Sequence, residues 1–215
     1  MSDRPATAVD PEARLRECER TGKLICLASM SPRRRALLAQ IGVPHTVAAA
    51  HVDERHLPGE SPRDYVTRLA HLKATTVRDR GESLPVLAAD TAVVLNGVVY
   101  GKPADRADAV AMLGALSGKS HEVLTAVALA TARGVELRVN ISTVSFRNIT
   151  RPEMEAYWET GEPRDKAGGY AIQGYGAVFV AALSGSHSGV MGLPLLETAQ
   201  LLREAGIHCW MGAAP

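Results

Sequence analysis

A short apolar run that leads directly into a proline-initiated helix is the feature that most constrains how this chain can fold. Residues 24–28, LICLA, are typical of a buried strand, and SMSPRRRALL follows within the same stretch. Ser31 is suited to be the N-cap of a helix and Pro32 its first residue. Leu37 and Leu38 continue the helical pattern. The segment therefore predicts a buried strand, a turn and a helix in direct succession.

The start of this helix carries an unusual charge. Arg33 and Arg34 fall in its first turn, where the helix dipole is already positive and Asp or Glu is normally favoured. Clustered arginines are explained if an anion, above all a phosphate, binds to the exposed N–H groups of the turn. The alternative is an ordinary helix start on a basic surface. The segment alone leaves both interpretations open.

Composition and charge restrict the class of protein. The chain has 215 residues, of which 46% are hydrophobic and 22% charged, as is typical of a soluble globular protein. Lys and Arg number 24 against 23 Asp and Glu, so we expect no nucleic-acid partner. No stretch reaches the roughly 18 apolar residues of a membrane span, and charged residues interrupt 1–23 throughout, unlike a signal peptide. We therefore expect no membrane partner either.

The cysteines and the N-terminal segment predict a cytoplasmic protein with one folded domain. Cys18, Cys26 and Cys209 are widely separated, so they predict neither a zinc site nor a disulfide framework and fit a reducing compartment. Residues 1–22 are expected to be an extension, either disordered or containing a short charged helix over 11–20. Residues 23–210 are expected to form a single domain.

The remaining elements are predicted from hydrophobic periodicity and turn residues. Strands are predicted at 45–52, 85–90, 93–95, 98–100, 121–130, 136–148 and 178–183, and helices at 61–80, 105–116, 150–159 and 194–205. Strands and helices alternate at first, whereas strands follow one another directly later in the chain. That order predicts an α/β fold with a mixed sheet. The glycine-rich, charged segment 161–176 is predicted to be a functional loop.

Four groups of polar residues lie at predicted strand ends or in glycine-rich loops. They are Ser29 with Arg33 and Arg34, Asp53 with Glu54, Asp90 with Thr91 and Lys102, and Asp165 with Lys166 and Gln173. Each group also has a structural explanation, such as an acidic turn, a backbone cap or a solvated loop. Lys73 falls on the apolar face of the helix at 61–80, where it either extends to the surface or points into an anionic site.

Taken together, the four groups favour phosphate chemistry. Arginines and lysines can hold a polyphosphate, and Mg²⁺ prefers one or two carboxylates combined with phosphate oxygens. Phosphoryl transfer depends on positioning and charge neutralisation more than on covalent chemistry, and a remaining carboxylate can activate water. The sequence contains neither a P-loop, G-x-x-x-x-G-K-[ST], nor a dinucleotide fingerprint, G-x-G-x-x-G. The phosphate site is therefore predicted to be of neither type.

Several segments, in their order along the chain, resemble the Maf family of nucleoside triphosphate pyrophosphatases. They are LASMSPRRRALL, LAADTAVVLNGVVYGKP, DKAGGYAIQG and SGVMGLPLLET, and the resemblance spans residues 23–206. It implies an α/β fold in which a mixed twisted sheet has flanking helices and two lobes surround a cleft, as in inosine triphosphate pyrophosphatases. It also implies hydrolysis of a nucleoside triphosphate between its α and β phosphates with a divalent metal cation, Mg²⁺ or Mn²⁺. A homodimer is implied as well.

The resemblance also implies roles for individual residues. Asp90, in the A-D-T motif, corresponds to the family's proposed proton acceptor, and Glu54 corresponds to an acidic residue of the metal site. The implied phosphate cleft comprises Ser29, Arg33, Arg34, Lys73, Lys102 and Lys166. Whether Asp90 acts as the base, as a metal ligand or as both stays open at this point.

Three residues resemble the branch of the family that acts on dTTP and UTP. They are Arg33 after Ser-Pro, Thr91 after the catalytic aspartate, and Gln173 in the I-Q-G motif. A glutamine amide offers both a donor and an acceptor, which suits the O4 and N3 edge of thymine or uracil. The resemblance therefore implies that dTTP and UTP are the substrates.

Two alternatives remain open. The chain could instead hydrolyse damaged or modified purine triphosphates, or it could be a nucleotide-binding regulator of septum formation without significant catalysis. The resemblance further implies roles in the arrest of cell division and in the removal of non-canonical nucleotides. The complete set of charged residues argues against the regulator, since a protein that only binds has no need for the Asp90 carboxylate facing three phosphates.

Overall fold

A computed structural model of the chain describes residue 22 and residues 24–210. The helix predicted at 11–20, and Cys18 within it, lie outside the described residues. So does the rest of the predicted extension, apart from residue 22.

Seven strands and six helices make up the described part of the chain. The strands are β1 (Ile25–Leu27), β2 (His45–Val47), β3 (Val86–Leu95), β4 (Val98–Tyr100), β5 (Ser120–Thr131), β6 (Gly134–Phe146) and β7 (Val180–Ser184). The helices are α1 (Pro32–Gln40), α2 (Pro62–Asp79), α3 (Arg106–Leu116), α4 (Arg151–Glu159), α5 (His187–Met191) and α6 (Leu195–Glu204). Short 3₁₀ helices cover Glu162–Asp165, Ala167–Gly169 and Tyr175–Phe179. None of the helices in this part is long and apolar enough to cross a membrane.

The described strands form one mixed sheet in the order β2-β1-β3-β5-β6-β7, with β4 paired to the far end of β3. β1 runs parallel to β2 and β3 because helices return the chain between them, whereas the other pairs are antiparallel. Asn96 and Gly97 join β3 to β4 with positive φ angles of 52° and 78°, as the predicted type I′ turn requires. The predicted α/β fold with a mixed sheet is confirmed.

The helices begin where the sequence predicts them. Before α2, the Ser61 hydroxyl accepts the N–H of Asp64 at 3.2 Å. Before α4, Thr150 and Glu153 form the predicted capping box. These caps satisfy N–H groups that a helix leaves without partners at its start, which is why the sequence signals were reliable.

Helices cover both faces of the sheet. On one face, α2 buries its predicted apolar row against β3 and β5, and the row consists of Val66, Leu69, Ala70, Ala74 and Val77. On the other face, α1 and α6 pack on β1 and the start of β3. A further cluster, with α3 and α4, packs on the end of β3 and on β5 and β6. The helices therefore gather in two lobes, one with α1, α2 and α6 and the other with α3 and α4.

The structure corrects two predicted boundaries. The strand predicted at 85–90 does not end at Asp90 but continues to Leu95, because its backbone stays paired with β5 throughout. The strand predicted at 45–52 ends at Val47, because its parallel partner β1 ends at Leu27. The short helix α5 was not predicted.

The sheet has a gap beside the middle of β3. On the edge that faces β1, β3 pairs only as far as Leu87, and β4 pairs with it from Val93 onwards. Residues 88–92 are therefore paired with β5 on one edge, while neither β1 nor β4 covers the other. This gap lies between the two lobes, and it contains Asp90 and Thr91.

We expect Leu201→Ala to lower the free energy of unfolding by about 2–5 kcal/mol, because removal of this buried side chain leaves a cavity in the core. Leu196→Ala is the matched control, since Leu196 lies on the same helix but is 68% exposed. The control should change the free energy by less than about 0.5 kcal/mol. Urea denaturation measures both, and equal losses would contradict the orientation of α6.

Candidate active site

A cavity of about 800 Å³ opens at the gap beside β3. It is lined by the start of α1, α2, β3, the loop after β4, the segment 165–173 and the end of α5. The ten residues that the resemblance implies for the site all line this cavity, namely Ser29, Arg33, Arg34, Glu54, Lys73, Asp90, Thr91, Lys102, Lys166 and Gln173. Asp53, from the second polar group, does not line it and pairs with the exposed Arg55. The structure thus brings together residues from the whole length of the domain, while their individual roles stay predictions.

β3 sends its two polar residues to opposite faces of the sheet, because successive side chains of a strand alternate. Asp90 lies on the face covered by α2, where it meets Lys73. Thr91 lies on the other face, where it meets Arg34 and Thr125. Both reach the cavity because neither β1 nor β4 covers this edge of β3.

Lys73 connects two carboxylates. Its Nζ lies 2.6 Å from Asp90 Oδ1 and 2.6 Å from Glu54 Oε1. The side chains of Lys73 and Asp90 are only 11% and 9% exposed, whereas that of Glu54 is 46% exposed. The sequence left open whether Lys73 extends to the surface or points into an anionic site. In the structure it lies between the two carboxylates, so the surface alternative is wrong.

The surroundings shift the two carboxyl groups in opposite directions. Burial raises the pKa of Asp90 above its usual value, and the charges of Lys73 and Arg34 oppose this only in part. Burial also acts on Glu54, but the hydrogen bond and charge of Lys73 prevail, with a contribution from Lys102, and the pKa of Glu54 is lowered. Asp90 is therefore the better proton acceptor of the two, whereas Glu54 is held as a carboxylate.

Asp90 and Glu54 also fit a divalent cation. Because both present an oxygen 2.6 Å from the same nitrogen, a single cation can contact both groups. Two carboxylate oxygens combined with phosphate oxygens are a donor set that Mg²⁺ favours. The described residues contain no group of three or more His, Cys, Asp or Glu side chains that could hold a metal ion. The remaining ligands would therefore come from substrate and water.

Arg34 binds three partners inside the protein. Its Nε donates to the Gly192 carbonyl at 2.7 Å, its Nη1 to Ser29 Oγ at 3.3 Å and its Nη2 to Thr91 Oγ1 at 3.3 Å. These bonds connect α1 to β3 and to the segment after α5. Burial lowers the pKa of the guanidinium, while the charge of Asp90 acts in the opposite sense. An arginine has five N–H donors, so at most two of them remain for a ligand.

A network of hydrogen bonds continues from Arg34. Thr125 Oγ1 lies 2.8 Å from the Gly189 carbonyl and 3.0 Å from Thr91 Oγ1. Thr125 is the donor in both contacts and shares its single proton between them, while the Gly189 carbonyl also accepts the Gly192 N–H at 2.9 Å. Thr91 accepts from Arg34 as well. The Thr91 oxygen therefore accepts from two donors, which leaves its own proton for a ligand.

The rim of the cavity is cationic. Arg33 Nη1 lies 3.6 Å from Asp165 Oδ2, and Lys166 forms an ion pair with the same carboxylate. These contacts hold the Glu162–Asp165 turn against the start of α1. Lys102 lies exposed on the loop after β4 and also lines the cavity. Arg33, in the unusual first turn of α1, thus pairs with a carboxylate of the chain itself, while a bound phosphate stays a prediction.

A buried histidine lies behind the cavity wall. His121 Nε2 is 2.8 Å from the hydroxyl of Tyr170, which lines the cavity, and Phe146 packs edge-on against both rings. Burial lowers the pKa of His121 to about 4. The imidazole is therefore neutral near pH 7, and it supports the wall of the cavity rather than facing a ligand.

Thr125 and the segment 189–192 were not predicted to belong to the site. Thr125 meets Thr91 because the two residues lie opposite each other in the β3–β5 register. Local patterns do not reveal which residues of two distant strands face each other. The signal in the sequence was a threonine inside the apolar run VLTAVALA, which is hard to bury without a hydrogen-bond partner.

The fold and the site define an α/β protein with a cavity that has a cationic rim, and comparisons with known proteins place it more closely. A family model described as Maf-like protein matches residues 24–205. The chain is 52% identical over 193 residues to a dTTP/UTP pyrophosphatase from Saccharophagus degradans, covering 88% of this chain and 92% of the relative. It is 54% identical over 190 residues to a dTTP/UTP pyrophosphatase from Bordetella avium, covering 84% and 94%. It also resembles the structure of a HAM1 protein from Coxiella burnetii, at 17% identity and a TM-score of 0.45, over 84% of this chain and 98% of that chain. The chain belongs to the Maf family.

We expect Thr125→Val to lower the free energy of unfolding by about 0.5–1.5 kcal/mol, because it removes the buried hydrogen bond from Thr125 to the Gly189 carbonyl, which keeps only the Gly192 N–H as its donor. Thr198→Val is the matched control, since Thr198 is fully buried and its hydroxyl has no partner within the described structure. The control should be neutral or stabilising. Urea denaturation compares the two variants, and similar losses would contradict the hydrogen-bond chain.

We expect the free energy of unfolding to depend on pH through His121. The pKa of His121 is about 4 in the folded protein against an ordinary histidine value of about 6.5, so the unfolded chain takes up the proton first and stability falls as the pH drops below about 6.5. Glutamine does not titrate, so the stability of His121→Gln lacks this dependence on pH. The difference in free energy of unfolding between the native protein and the variant should therefore be about 2 kcal/mol less in favour of the native protein at about pH 5 than at about pH 7. Urea denaturation at both pH values measures it. A constant difference would mean that His121 titrates as it does in the unfolded chain.

Proposed function

We propose that this protein hydrolyses dTTP and UTP between the α and β phosphates, giving dTMP or UMP and pyrophosphate. One observation carries the proposal: the buried carboxylate of Asp90, paired with Lys73, lies in a cavity with a cationic rim. A fixed base beside preorganised positive charge suits the hydrolysis of a phosphoanhydride. The names of the relatives that are 52% and 54% identical support the same substrates.

The cationic rim is the proposed binding site of the triphosphate. Arg33 and Lys166 are paired with Asp165, and phosphate oxygens can replace that carboxylate as their anionic partner. The first turn of α1 contains no acidic residue, so its N–H groups and dipole can add to the attraction. Lys102 and Ser29 supply further donors along the wall. Arg34 contributes chiefly by fixing Ser29 and Thr91, because three of its donors are already engaged.

A divalent cation, Mg²⁺ or Mn²⁺, is proposed to bind at Glu54 and Asp90. When bound, such an ion supplies positive charge to the phosphates and lowers the cost of charge that develops on the leaving group. Lys73 contacts the same two oxygens, so it supplies part of this charge from the protein and keeps both carboxylates in place.

Asp90 is proposed to orient and deprotonate the attacking water. Lys73 bonds to Oδ1, so we assign Oδ2 to the water. The water oxygen forms a bond to the α phosphorus, the bond from that phosphorus to the bridging oxygen breaks, and pyrophosphate leaves with the bonding electrons. The proton of the water passes to Asp90, whose raised pKa makes it a better proton acceptor than an ordinary carboxylate.

Gln173 and Thr91 are proposed to read the base. Gln173 is exposed on the cavity wall, where its amide can donate to O4 and accept from N3–H of thymine or uracil. Thr91 can add a donor, since its oxygen accepts from Arg34 and Thr125 while its own proton stays available. Arg33 completes the trio that resembles the dTTP and UTP branch. A site with fixed donors and acceptors discriminates strongly against bases that leave them unpaired.

The inferred partners are a nucleoside triphosphate and a second copy of the chain. The cavity and its cationic rim support the first. The homodimer, the cytoplasmic location, the expectation of no nucleic-acid partner and the single domain over residues 23–210 stay predictions.

A nucleotide-binding regulator without catalysis fits the site less well. Such a protein gains affinity from the cations of the rim. A buried carboxylate, however, repels a triphosphate and costs free energy to keep charged. Asp90 is therefore favoured in this cavity if it acts on the substrate, and unfavourable if the protein only binds.

Pyrophosphate release with Mg²⁺ or Mn²⁺, measured for all common ribo- and deoxyribonucleoside triphosphates, tests the proposal. We expect dTTP and UTP to be hydrolysed fastest. Asp90→Asn should lower kcat by about 100- to 10,000-fold, because the amide cannot accept the proton. Urea denaturation and the binding of a non-hydrolysable dTTP analogue serve as controls that the variant is folded and still holds nucleotide.

Each contrary outcome removes a different part of the proposal. Faster release from purine triphosphates would contradict the base-reading roles of Gln173 and Thr91 but leave the hydrolysis in place. Unchanged turnover by Asp90→Asn would remove Asp90 from the mechanism. Tight nucleotide binding without any turnover by the native protein would make the regulator the correct function.

A further inference from the structure

Two residues outside the cavity wall form a pair that the proposed reaction does not use. Tyr157 lies on α4 and is 4% exposed, and Glu162 begins the 3₁₀ turn Glu162–Asp165. The Tyr157 hydroxyl donates to Glu162 Oε1 at 2.7 Å. Both residues belong to the lobe of α3 and α4, beneath the loop that carries Gln173.

The backbone on both sides of Gln173 is bound to this pair. The Ala171 N–H donates to the Tyr157 hydroxyl at 3.1 Å. The Tyr175 N–H donates to Glu162 Oε2 at 3.0 Å, and the Gly176 N–H donates to Glu162 Oε1 at 2.9 Å. The chain is therefore fixed two residues before Gln173 and again two and three residues after it.

The loop fits closely around the pair. Gly174 has a φ of +111°, which side chains rarely adopt, and a Cβ there would overlap Glu162 Oε2. A Cβ on Gly176 would lie 2.5 Å from the Ala171 carbonyl oxygen and 2.6 Å from the Tyr157 hydroxyl. The two glycines of the segment QGYG thus allow the backbone to approach the pair, which gives a structural reason for that composition.

The charges of the pair fix the direction of its hydrogen bonds. Burial raises the pKa of Tyr157, and Glu162 raises it further, so the phenol keeps its proton. Burial acts on Glu162 as well, but the bonds from Tyr157, Gly176 and Tyr175 prevail and lower its pKa. Glu162 is therefore a carboxylate that only accepts. Tyr157 accepts the N–H of Ala171 and donates its own proton to Glu162.

We propose that Tyr157 and Glu162 are positioning residues that hold Gln173 in the geometry that reads the base, and so set the preference for pyrimidine triphosphates. Gln173 is exposed, so the packing of its own side chain does little to fix its position. Its orientation depends on the backbone to which it is attached, and that backbone is held by three hydrogen bonds that its N–H groups donate to the pair. The inference rests on the proposed function, in which Gln173 contacts the base.

The test compares Glu162→Gln and Tyr157→Phe with the native protein. A glutamine has only one acceptor oxygen, so Glu162→Gln leaves at least one N–H of the loop facing an NH₂ group. We expect the KM for dTTP and UTP to rise about tenfold with little change in kcat, while the KM for dGTP stays the same. Tyr157→Phe should act in the same direction, and it serves as the independent variant if Glu162→Gln does not fold.

The matched control is Glu153→Gln on α4. Like Glu162, Glu153 is a carboxylate that accepts a backbone N–H, in this case from Thr150. It forms a further ion pair with Arg147. It lies at the start of the helix whose end carries Tyr157. Glu153→Gln should lower the urea midpoint without changing the ratio of kcat/KM for dTTP to that for dGTP. A change in that ratio equal to that of Glu162→Gln would mean that general loosening of α4, and not the pair, alters selectivity.

Inorganic tripolyphosphate separates an effect on the base from an effect on the phosphates. It carries no base, so its inhibition constant against dTTP hydrolysis should be the same for the native protein and for Glu162→Gln. Lys166 lies in the same segment as Glu162 and acts on its pKa, so displacement of this lysine is the competing explanation. If the inhibition constant of tripolyphosphate were tenfold higher for Glu162→Gln than for the native protein, displacement of Lys166 would be the correct explanation and the proposal would be overturned.

A double-variant cycle separates this proposal from the proposed function. If the pair acts through Gln173, Glu162→Gln should not change the preference further once Gln173→Ala is present. If Gln173→Ala keeps the native preference, the base-reading role of Gln173 fails, and this inference with it. If Gln173→Ala abolishes the preference while Glu162→Gln and Tyr157→Phe keep it, only the role of the pair fails. Dissociation constants of α,β-methylene analogues of dTTP, UTP and dGTP give the same comparison if the native protein shows no turnover.

Discussion

The pairing of β3 determines where the rest of the site lies. The strand is bonded to β5 along one edge for nearly its whole length, while its other edge is covered by β1 and β4 only at the two ends. A strand fixed on one edge is rigid, and its uncovered segment can present side chains from both faces to one cavity. Residues 88–92 combine these properties, and the start of α1 and the end of α5 close around them. The cavity is thus a consequence of sheet topology.

The alternation of β3 divides the site into two networks. On the face of α2, Asp90 belongs to a group of charges held by Lys73, where burial and ion pairing set the proton affinity. On the other face, Thr91 belongs to a chain of hydrogen bonds from Arg34 to the Gly189 carbonyl, where geometry fixes which atoms can donate. Asp90 and Thr91 are neighbours in sequence, but different residues hold each of them in place. This arrangement would allow the proposed base, Asp90, and the proposed recognition group, Thr91, to be adjusted independently of each other.

The sequence predicted what is encoded locally or in recognisable motifs. The Ser61 cap, the Asn96 hairpin and the apolar row of α2 all depend on residues a few positions apart, and the structure confirms them. The motifs also named ten residues that the structure brings to one cavity. What the sequence did not predict depends on long-range contacts: the continuation of β3 beyond Asp90 requires β5 as its partner, and Thr125 joins the site only through strand register. The support of Gln173 by Glu162 likewise depends on a turn whose path no local pattern reveals.

The balance of charge in the cavity bears on both the proposed triphosphate and the proposed metal. Five cationic side chains and three carboxylates line it, namely Arg33, Arg34, Lys73, Lys102 and Lys166 against Glu54, Asp90 and Asp165. Their net charge of +2 exceeds the +1 of the entire chain, so the attraction for anions is local to this cleft. A triphosphate at neutral pH carries more negative charge than this lining offsets, because each of its phosphates is ionised. Protonation of Asp90 would offset part of the excess, but it would remove the proposed base. A divalent cation would offset it without that loss, so the proposed metal at Glu54 and Asp90 is consistent with the composition of the cavity as well as with its geometry.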